Sequence, residues 1–345
     1  MTLVQLLLIW SKKTSVRAVL ALLIATIIFS ACTNSSIYRT DEGAIWATQY
    51  HIKYKAPRQM TDSILATLSR VEMSVSVFND SSLVSRLNRN ESSVADSILA
   101  TVFEVSQVVN HLSHGAFDPT LGPLIELWGF GRNRQLLMTP ADSLVKKTME
   151  YVGIADCTID TEHEIKKKHP LTQFNFSAIA KGLACDEVGR MMQRNGITDY
   201  MIEIGGEVAL HGYNERGEKW RLSVDAPITD EADPAAHHRL TMIDVTNCGV
   251  ATSGNYRNYH HVSGHAVGHT ISPVTGYPVD NGCLSATVIA PDCMLADALA
   301  TSCMVMNPDS AMTMIESLPD TEVLMVLSGT PYKTVTSRSF PKLHN

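Results

Sequence analysis

The sequence predicts an α+β fold. Three observations carry that expectation. Several segments place apolar residues at helical spacing, others read as short strands, and the two kinds intermix without the regular β-α-β order of a doubly wound sheet.

The elements follow in chain order. Gly43 to Tyr54 reads as one strand, with Ile45, Tyr50, Ile52 and Tyr54 among polar neighbours. Thr61 to Val75 reads as a helix: Ile64, Leu65, Leu68 and Val71 share a face, and Thr61 or Asp62 is positioned to cap it. Ser97 to His111 is a second helix, ended by His114-Gly115. A middle helix runs from Ile179 to Arg194 and stops at Asn195-Gly196. Tyr200 to Ile204 and Val208 to Leu210 form two strands around Gly205-Gly206, and Trp220 to Val224 a third. Asp230 to His238 is a polar loop. Leu284 to Ala290 is a strand, Leu295 to Met306 a helix stopped by Pro308, and Val323 to Leu327 a buried strand.

The N-terminus sets the expected compartment. Lys12, Lys13 and Arg17 precede an apolar run, Ala18 to Phe29, of signal-peptide length. Ser30-Ala31-Cys32 then resembles a bacterial lipobox, although Phe29 replaces the usual Leu. The expectation is a signal peptide over 1–31, lipidation at Cys32, a tether over 32–42 and one domain over 43–345. An uncleaved anchor helix is the alternative. Removing three basic residues and no acids takes the formal charge from -7 to -10, so no basic patch suggests nucleic acid. Of the seven cysteines, Cys32 aside, six remain; no C-x-x-C occurs and no disulfide is assigned. Most read as buried small hydrophobes.

Chemistry concentrates late in the chain. Asp297 and Thr301 are four apart on a predicted helix, so their oxygens share one face and suit Mg²⁺ rather than a soft metal. A capping Asp and a Thr bonded to its own helix are the structural alternative. Thr252-Ser253-Gly254 and the Thr275-Gly276 turn read as loops with free amides and hydroxyls, able to cradle phosphate. Lys181 opposes the dipole at the start of the middle helix, which favours an anionic partner. His260, His261, His265 and His269 cluster, but their spacing fits no helical zinc pair; His269 is the candidate for proton transfer.

These segments together resemble the ApbE family, the FAD:protein FMN transferases, over Ala44 to Leu327. The blocks stand in family order: Phe78-Asn79-Asp80-Ser81-Ser82, Gly115 to Leu124 with Leu127 to Gly131, Ala178 to Gly182, Ile204 to Glu207, and the three late blocks. The resemblance implies a T-fold-related α+β domain with an FAD cleft between two subdomains. It implies that Phe78, Ala116, Phe117, Asp118, Lys181 and Ile271 contact FAD, with Thr252, Ser253 and Gly254 lining the cleft. Asp297, Thr301 and the Ala178 carbonyl would hold Mg²⁺. Three departures stand out: Trp46-Ala47-Thr48 replaces a Met-Gly-Thr block, Ser272 replaces an Asp, and Asn175 and Ser177 occupy a region where Asp is usual. By the resemblance Trp46 stands where that block would contact the cofactor.

The implied reaction moves FMN from FAD to a threonine hydroxyl of an acceptor flavoprotein in a membrane redox complex, releasing AMP, on the periplasmic side of a bacterial membrane. Two rivals share the same residues: an FAD pyrophosphatase giving FMN and AMP, and a non-enzymatic FAD-binding lipoprotein.

Overall fold

The computed structural model describes residues 37–132, 138–227, 238–255, 259–262 and 265–344, with backbone alone for 259–262 and 265–267. The expected signal peptide, Cys32 and the tether as far as residue 36, the loop over 228–237, and the side chains of His260, His261 and His265 lie outside the described residues. The chain falls into two compact units, one of residues up to Arg39 with Lys55–Gln59, the other of Thr40–Tyr54 with Met60–Asn345. In the first, the Arg39 guanidinium donates to the carbonyls of Ala56 (3.1 Å) and Pro57 (2.8 Å). The second carries the candidate cofactor, metal and proton-transfer residues.

The expected single strand at the start is a hairpin, β1 (Ile37–Ile45) and β2 (Thr48–Ala56). Trp46 (φ 50) and Ala47 (φ 60) make the two-residue turn in the left-handed region. Such turns favour Asn-Gly or Asp-Gly, so Trp-Ala hides this one from the sequence. Helix α1 (Thr61–Val75) has its expected span, but its N-cap is Met60 and no side chain caps it. The Thr61 hydroxyl bonds Asp41 instead. Next come α2 (Leu83–Asn88), α3 (Ser97–Leu112), α4 (Gly122–Leu127) and α5 (Asp142–Met149). Asp96 caps α3 through the Leu99 amide at 2.8 Å.

After the small ribbon β3 (Thr158–Ile159) and β4 (Ile165–Lys166) comes α6 (Ala180–Arg194). It ends at Asn195 with Gly196 at φ 72, the stop read from the sequence. Strands β5 (Tyr200–Ile204) and β6 (Glu207–His211) follow, then β7 (Trp220–Asp225), β8 (Arg239–Val245), β9 (Cys248–Gly254), β10 (Tyr259–Val262) and β11 (His265–Gly268). The chain closes through β12 (Cys283–Ala290), α7 (Cys293–Val305), α8 (Pro308–Glu316), β13 (Glu322–Leu327) and β14 (Lys333–Thr336).

An eight-stranded sheet runs β1-β2-β5-β6-β9-β12-β13-β14, antiparallel from β2 onward. Antiparallel pairing without β-α-β crossovers is the α+β class expected. Helix α7 lies against β9 and β12, α6 against β5 and β6, and the two helices against each other. Ten of the thirteen residues of α7 are buried, so it is a core helix apolar nearly all round. Two glycines admit it. A Cβ on Gly182 would sit 2.3 Å from the Cys293 carbonyl oxygen, and one on Gly249 would sit 2.2 Å from the Cys293 amide nitrogen.

Among the described residues six cysteines are free thiols and five of them are buried, as small hydrophobes would be. Among the described residues no helix is long and apolar enough to cross a membrane.

Candidate active site

The start of α7 is held by charge. Asp292 caps it through the Leu295 amide (2.8 Å), and Asp186 of α6 accepts from the amides of Cys293 (3.0 Å) and Met294 (2.8 Å). Burial, with the Asp292 carboxylate adding, pushes Asp186 up to about 7. This clamp sets where the next turn falls, and that turn carries Asp297. Asp297 is 3% exposed, and its Oδ2 accepts from the Gly182 amide at 3.1 Å. It therefore caps a helix, as the structural alternative had it, but a neighbouring helix rather than its own. The first turn of α6 has no side-chain cap of its own at Ile179. With the Gly182 amide turned to Asp297, no hydrogen bond from the described residues reaches the Ala178 carbonyl. Thr301, one turn beyond Asp297, pairs its hydroxyl with Ser253 Oγ of β9 at 3.2 Å.

Lys181 projects beside this turn and forms an ion pair with Glu207, the first residue of β6. Glu207 is 3% exposed, and its Oε2 is buried without a hydrogen-bond partner among the described residues. Burial raises the Glu207 and Asp297 carboxyls, and the Lys181 ammonium opposes the rise in both. Burial alone would lower Lys181, but Glu207 and Asp297 hold it above its ordinary value. Sequence reasoning quoted Glu207 in a family block but gave it no role. The available signal was a carboxylate opening an otherwise apolar strand directly after Gly205-Gly206.

Thr252-Ser253-Gly254 are strand residues of β9, not the loop expected from the sequence. Their β12 partners, in register, are Thr287, Ala286 and Ser285. Alternation separates the two hydroxyls: Ser253 reaches α7, whereas Thr252 bonds Thr287 at 2.8 Å. The next residue, Asn255, accepts from the Thr270 hydroxyl at 2.5 Å. That bond ties the strand that carries Ser253 to the segment of His269 and Ile271, and no sequence motif marks Asn255. His269 meets Phe130 edge-on, with ring centroids 6.2 Å apart. Ile271 is buried with Trp128, Leu124, Val145 and Val152, and the Trp128 indole donates to the Gly276 carbonyl at 2.8 Å. Ser272 Oγ accepts from the Val274 and Thr275 amides, both at 3.3 Å, so the serine organises this turn as an aspartate would.

Ala116 and Phe117 are buried. Asp118 accepts from the Thr120 amide and hydroxyl (2.8 and 2.6 Å) and the Ile154 amide (3.0 Å), while burial raises its pKa. Its carboxylate holds loops. Phe78 is 58% exposed. Arg132 anchors its loop to the segment after Trp128, through the Val77 carbonyl and Asp80. Trp46 stands in the β1-β2 turn, and its indole nitrogen is buried without a partner among the described residues. Lys181 thus links Glu207 with Asp297, Thr301 one helical turn on from Asp297 pairs with Ser253, and Asn255 bonds Thr270 between His269 and Ile271. Among the described residues no group of three His, Cys, Asp or Glu side chains is placed to hold a metal.

Known proteins share this arrangement of chain. The ApbE family matches residues 46–325. The chain is 34% identical to an FAD:protein FMN transferase of Vibrio cholerae, over 86% of this chain and 90% of that one. It is 31% identical to one of Haemophilus influenzae, over 91% and 94%. It superposes on the flavin transferase ApbE of Vibrio cholerae with a TM-score of 0.78 at 32% identity, covering 88% of this chain and 98% of that one. The ApbE protein of Thermotoga maritima gives a TM-score of 0.77 at 27% identity, with the same coverage. On the family match, the sequence identities and the fold, the chain belongs to the ApbE family.

Proposed function

We propose that this chain transfers the FMN moiety of FAD to a threonine hydroxyl of an acceptor flavoprotein and releases AMP. The observation that carries the reading is the buried Asp297 carboxylate on the Gly182 amide, with Thr301 one turn on, in a chain that is 34% identical to a named FMN transferase. The donors fit Mg²⁺. They are a carboxylate, a hydroxyl and the Ala178 carbonyl, which lacks a hydrogen bond from the described residues. All three are hard oxygens. The bound ion would supply a positive charge that polarises the pyrophosphate.

The remaining residues divide the work. Lys181 would bind a phosphate oxygen. Phe78, Ala116, Phe117 and Ile271 would border the flavin, with Trp46 at the hairpin turn and Asp118 fixing the loop beneath. Thr252, Ser253 and Gly254 would form the strand side of the cleft. His269 would take the proton of the threonine hydroxyl as its oxygen bonds to the FMN phosphorus. The bond from that phosphorus to the bridging oxygen breaks, and AMP departs with it. Such a transfer asks for positioning and charge stabilisation more than covalent chemistry. Cys32 would carry the lipid that anchors the enzyme at the periplasmic face, near acceptor subunits of membrane redox complexes.

The test is incubation with FAD and Mg²⁺, with and without an acceptor domain bearing a Ser-Gly-Ala-Thr segment. A phosphoester-linked flavin on the acceptor supports transfer. Free FMN without acceptor makes the chain a pyrophosphatase, and unchanged FAD makes it a binding protein. Asp297→Ala should lose transfer, and full transfer by that variant would remove the cation role.

A further inference from the structure

Glu207 follows two left-handed glycines, Gly205 (φ 62) and Gly206 (φ 103), which turn the chain so that β6 begins with a carboxylate pointing into the protein. One oxygen pairs with Lys181, and the other is buried and receives no hydrogen bond from the described residues. A buried, unsatisfied carboxylate oxygen is unfavourable and asks for a partner. Lys181 also interacts with Asp297. Two buried carboxyl groups thus share one ammonium. A divalent cation on Asp297 would add positive charge there and repel the ammonium. Lys181 has room to respond. Its side chain is 33% exposed, and its stem runs past Gly205, where a Cβ would come within 3.2 Å of Lys181 Cδ.

We propose, building on the cation site above, that Glu207 is a second carboxylate of that site and Lys181 its exchangeable counter-ion. Lys181 neutralises Glu207 and Asp297 before the cation binds. The arriving cation takes over that charge, and the released ammonium turns outward to the anionic pyrophosphate. Glu207 is then a positioning residue: it stores Lys181 at the edge of the site and adds to the attraction for the cation.

The test uses the full chain without FAD, with Mn²⁺ titrated as a spectroscopically visible stand-in for Mg²⁺. Glu207→Gln should bind Mn²⁺ about tenfold more weakly, and Lys181→Met more tightly by a similar factor, as expected for removing one attracting or one repelling charge. Wild-type affinity in either variant, or weaker binding by Lys181→Met, overturns the exchange. If a variant fails to fold, the unaltered chain decides. Reductive methylation of Lys181, read by mass spectrometry against exposed Lys146, should quicken when Mg²⁺ is added; an unchanged rate overturns the exchange. Asp297→Ala separates the two levels. Undiminished Mn²⁺ affinity in that variant removes the cation site itself. If it abolishes binding while Lys181 labelling in the unaltered chain ignores Mg²⁺, only the counter-ion role falls.

Discussion

Gly182→Ala should damage both stability and activity, although alanine is the better helix former. In an unobstructed helix the change would stabilise by about 0.8–1 kcal/mol. Here the new Cβ would lie 2.3 Å from the Cys293 carbonyl oxygen, 2.7 Å from its carbonyl carbon and 2.8 Å from Met294 Cα. All three are backbone atoms at the clamped start of α7, so no rotamer change relieves the clash. Overpacking of this kind costs about 1–3 kcal/mol, occasionally more. Moving the helices apart would also stretch the Gly182–Asp297 hydrogen bond, 3.1 Å long and worth roughly 1.5–3 kcal/mol as a bond to a charged group. The unfavourable terms win by about 1.5–5 kcal/mol, which lowers the melting temperature by roughly 3–20 °C at about 2–4 °C per kcal/mol. Thermal unfolding by circular dichroism measures the first effect, and FMN transfer at limiting Mg²⁺ the second. A variant that melts at or above the parent temperature with full transfer would refute the close-crossing argument.

Thr301→Val keeps the shape of the side chain and removes one donor, so transfer should fall by about tenfold or more (about 1.4 kcal/mol) while stability drops by only about 1 kcal/mol for the lost Ser253 bond; equal transfer at saturating FAD would exclude the hydroxyl from the site. Asn255→Ala should free Thr270 and loosen the turn that bears His269, lowering kcat more than it raises KM; a pure KM effect in steady-state kinetics would count against this positioning role. Asp186 gives a pH signature. Burial pushes its carboxyl up to about 7 in the folded state, above the ordinary aspartate value of about 3.9, so the folded state binds the proton more tightly than the unfolded one. That contribution favours folding at low pH and is lost as pH rises from about 4 to about 7. Asp186→Asn should flatten this part of the stability profile in denaturant titrations, and an unaltered slope would contradict it.

The parts legible in the sequence were those set by local pattern. Helix α6 and its Asn195-Gly196 stop, the buried strand β13 and the helical pairing of Asp297 with Thr301 follow from periodicity, capping and spacing. What was not legible depends on distant chain. The Trp46-Ala47 turn carries no hairpin signature and is held by the strands it joins. Strand β9 looks like a loop because Thr252-Ser253-Gly254 are turn-type residues, and only pairing with β12 makes them strand. Glu207 escaped notice because a glutamate at a strand edge normally faces water. Its burial is set by Lys181 and the Gly205-Gly206 turn. The resemblance to a family suggests roles that spacing alone leaves open, as at Ala178, whose carbonyl is left without a hydrogen bond from the described residues because the Gly182 amide turns to Asp297.

The position of Asp297 explains why so much of the fold is built around one helix. A carboxylate buried on a core helix is unfavourable without partners. A surface location would be easier, but water there would screen the ion and compete for its ligands. The chain resolves the conflict by making α7 apolar elsewhere and fixing its start with Asp186 and Asp292. Gly182 and Gly249 let neighbouring backbone approach closely enough to satisfy one carboxylate oxygen. The amide that does so belongs to the turn that presents Ala178 and Lys181. One hydrogen bond therefore aligns the carboxylate and the backbone carbonyl proposed to face the cation with the lysine proposed to face the phosphates. Local disturbance of that bond should reach catalysis even when the substituted residue touches neither cofactor nor metal.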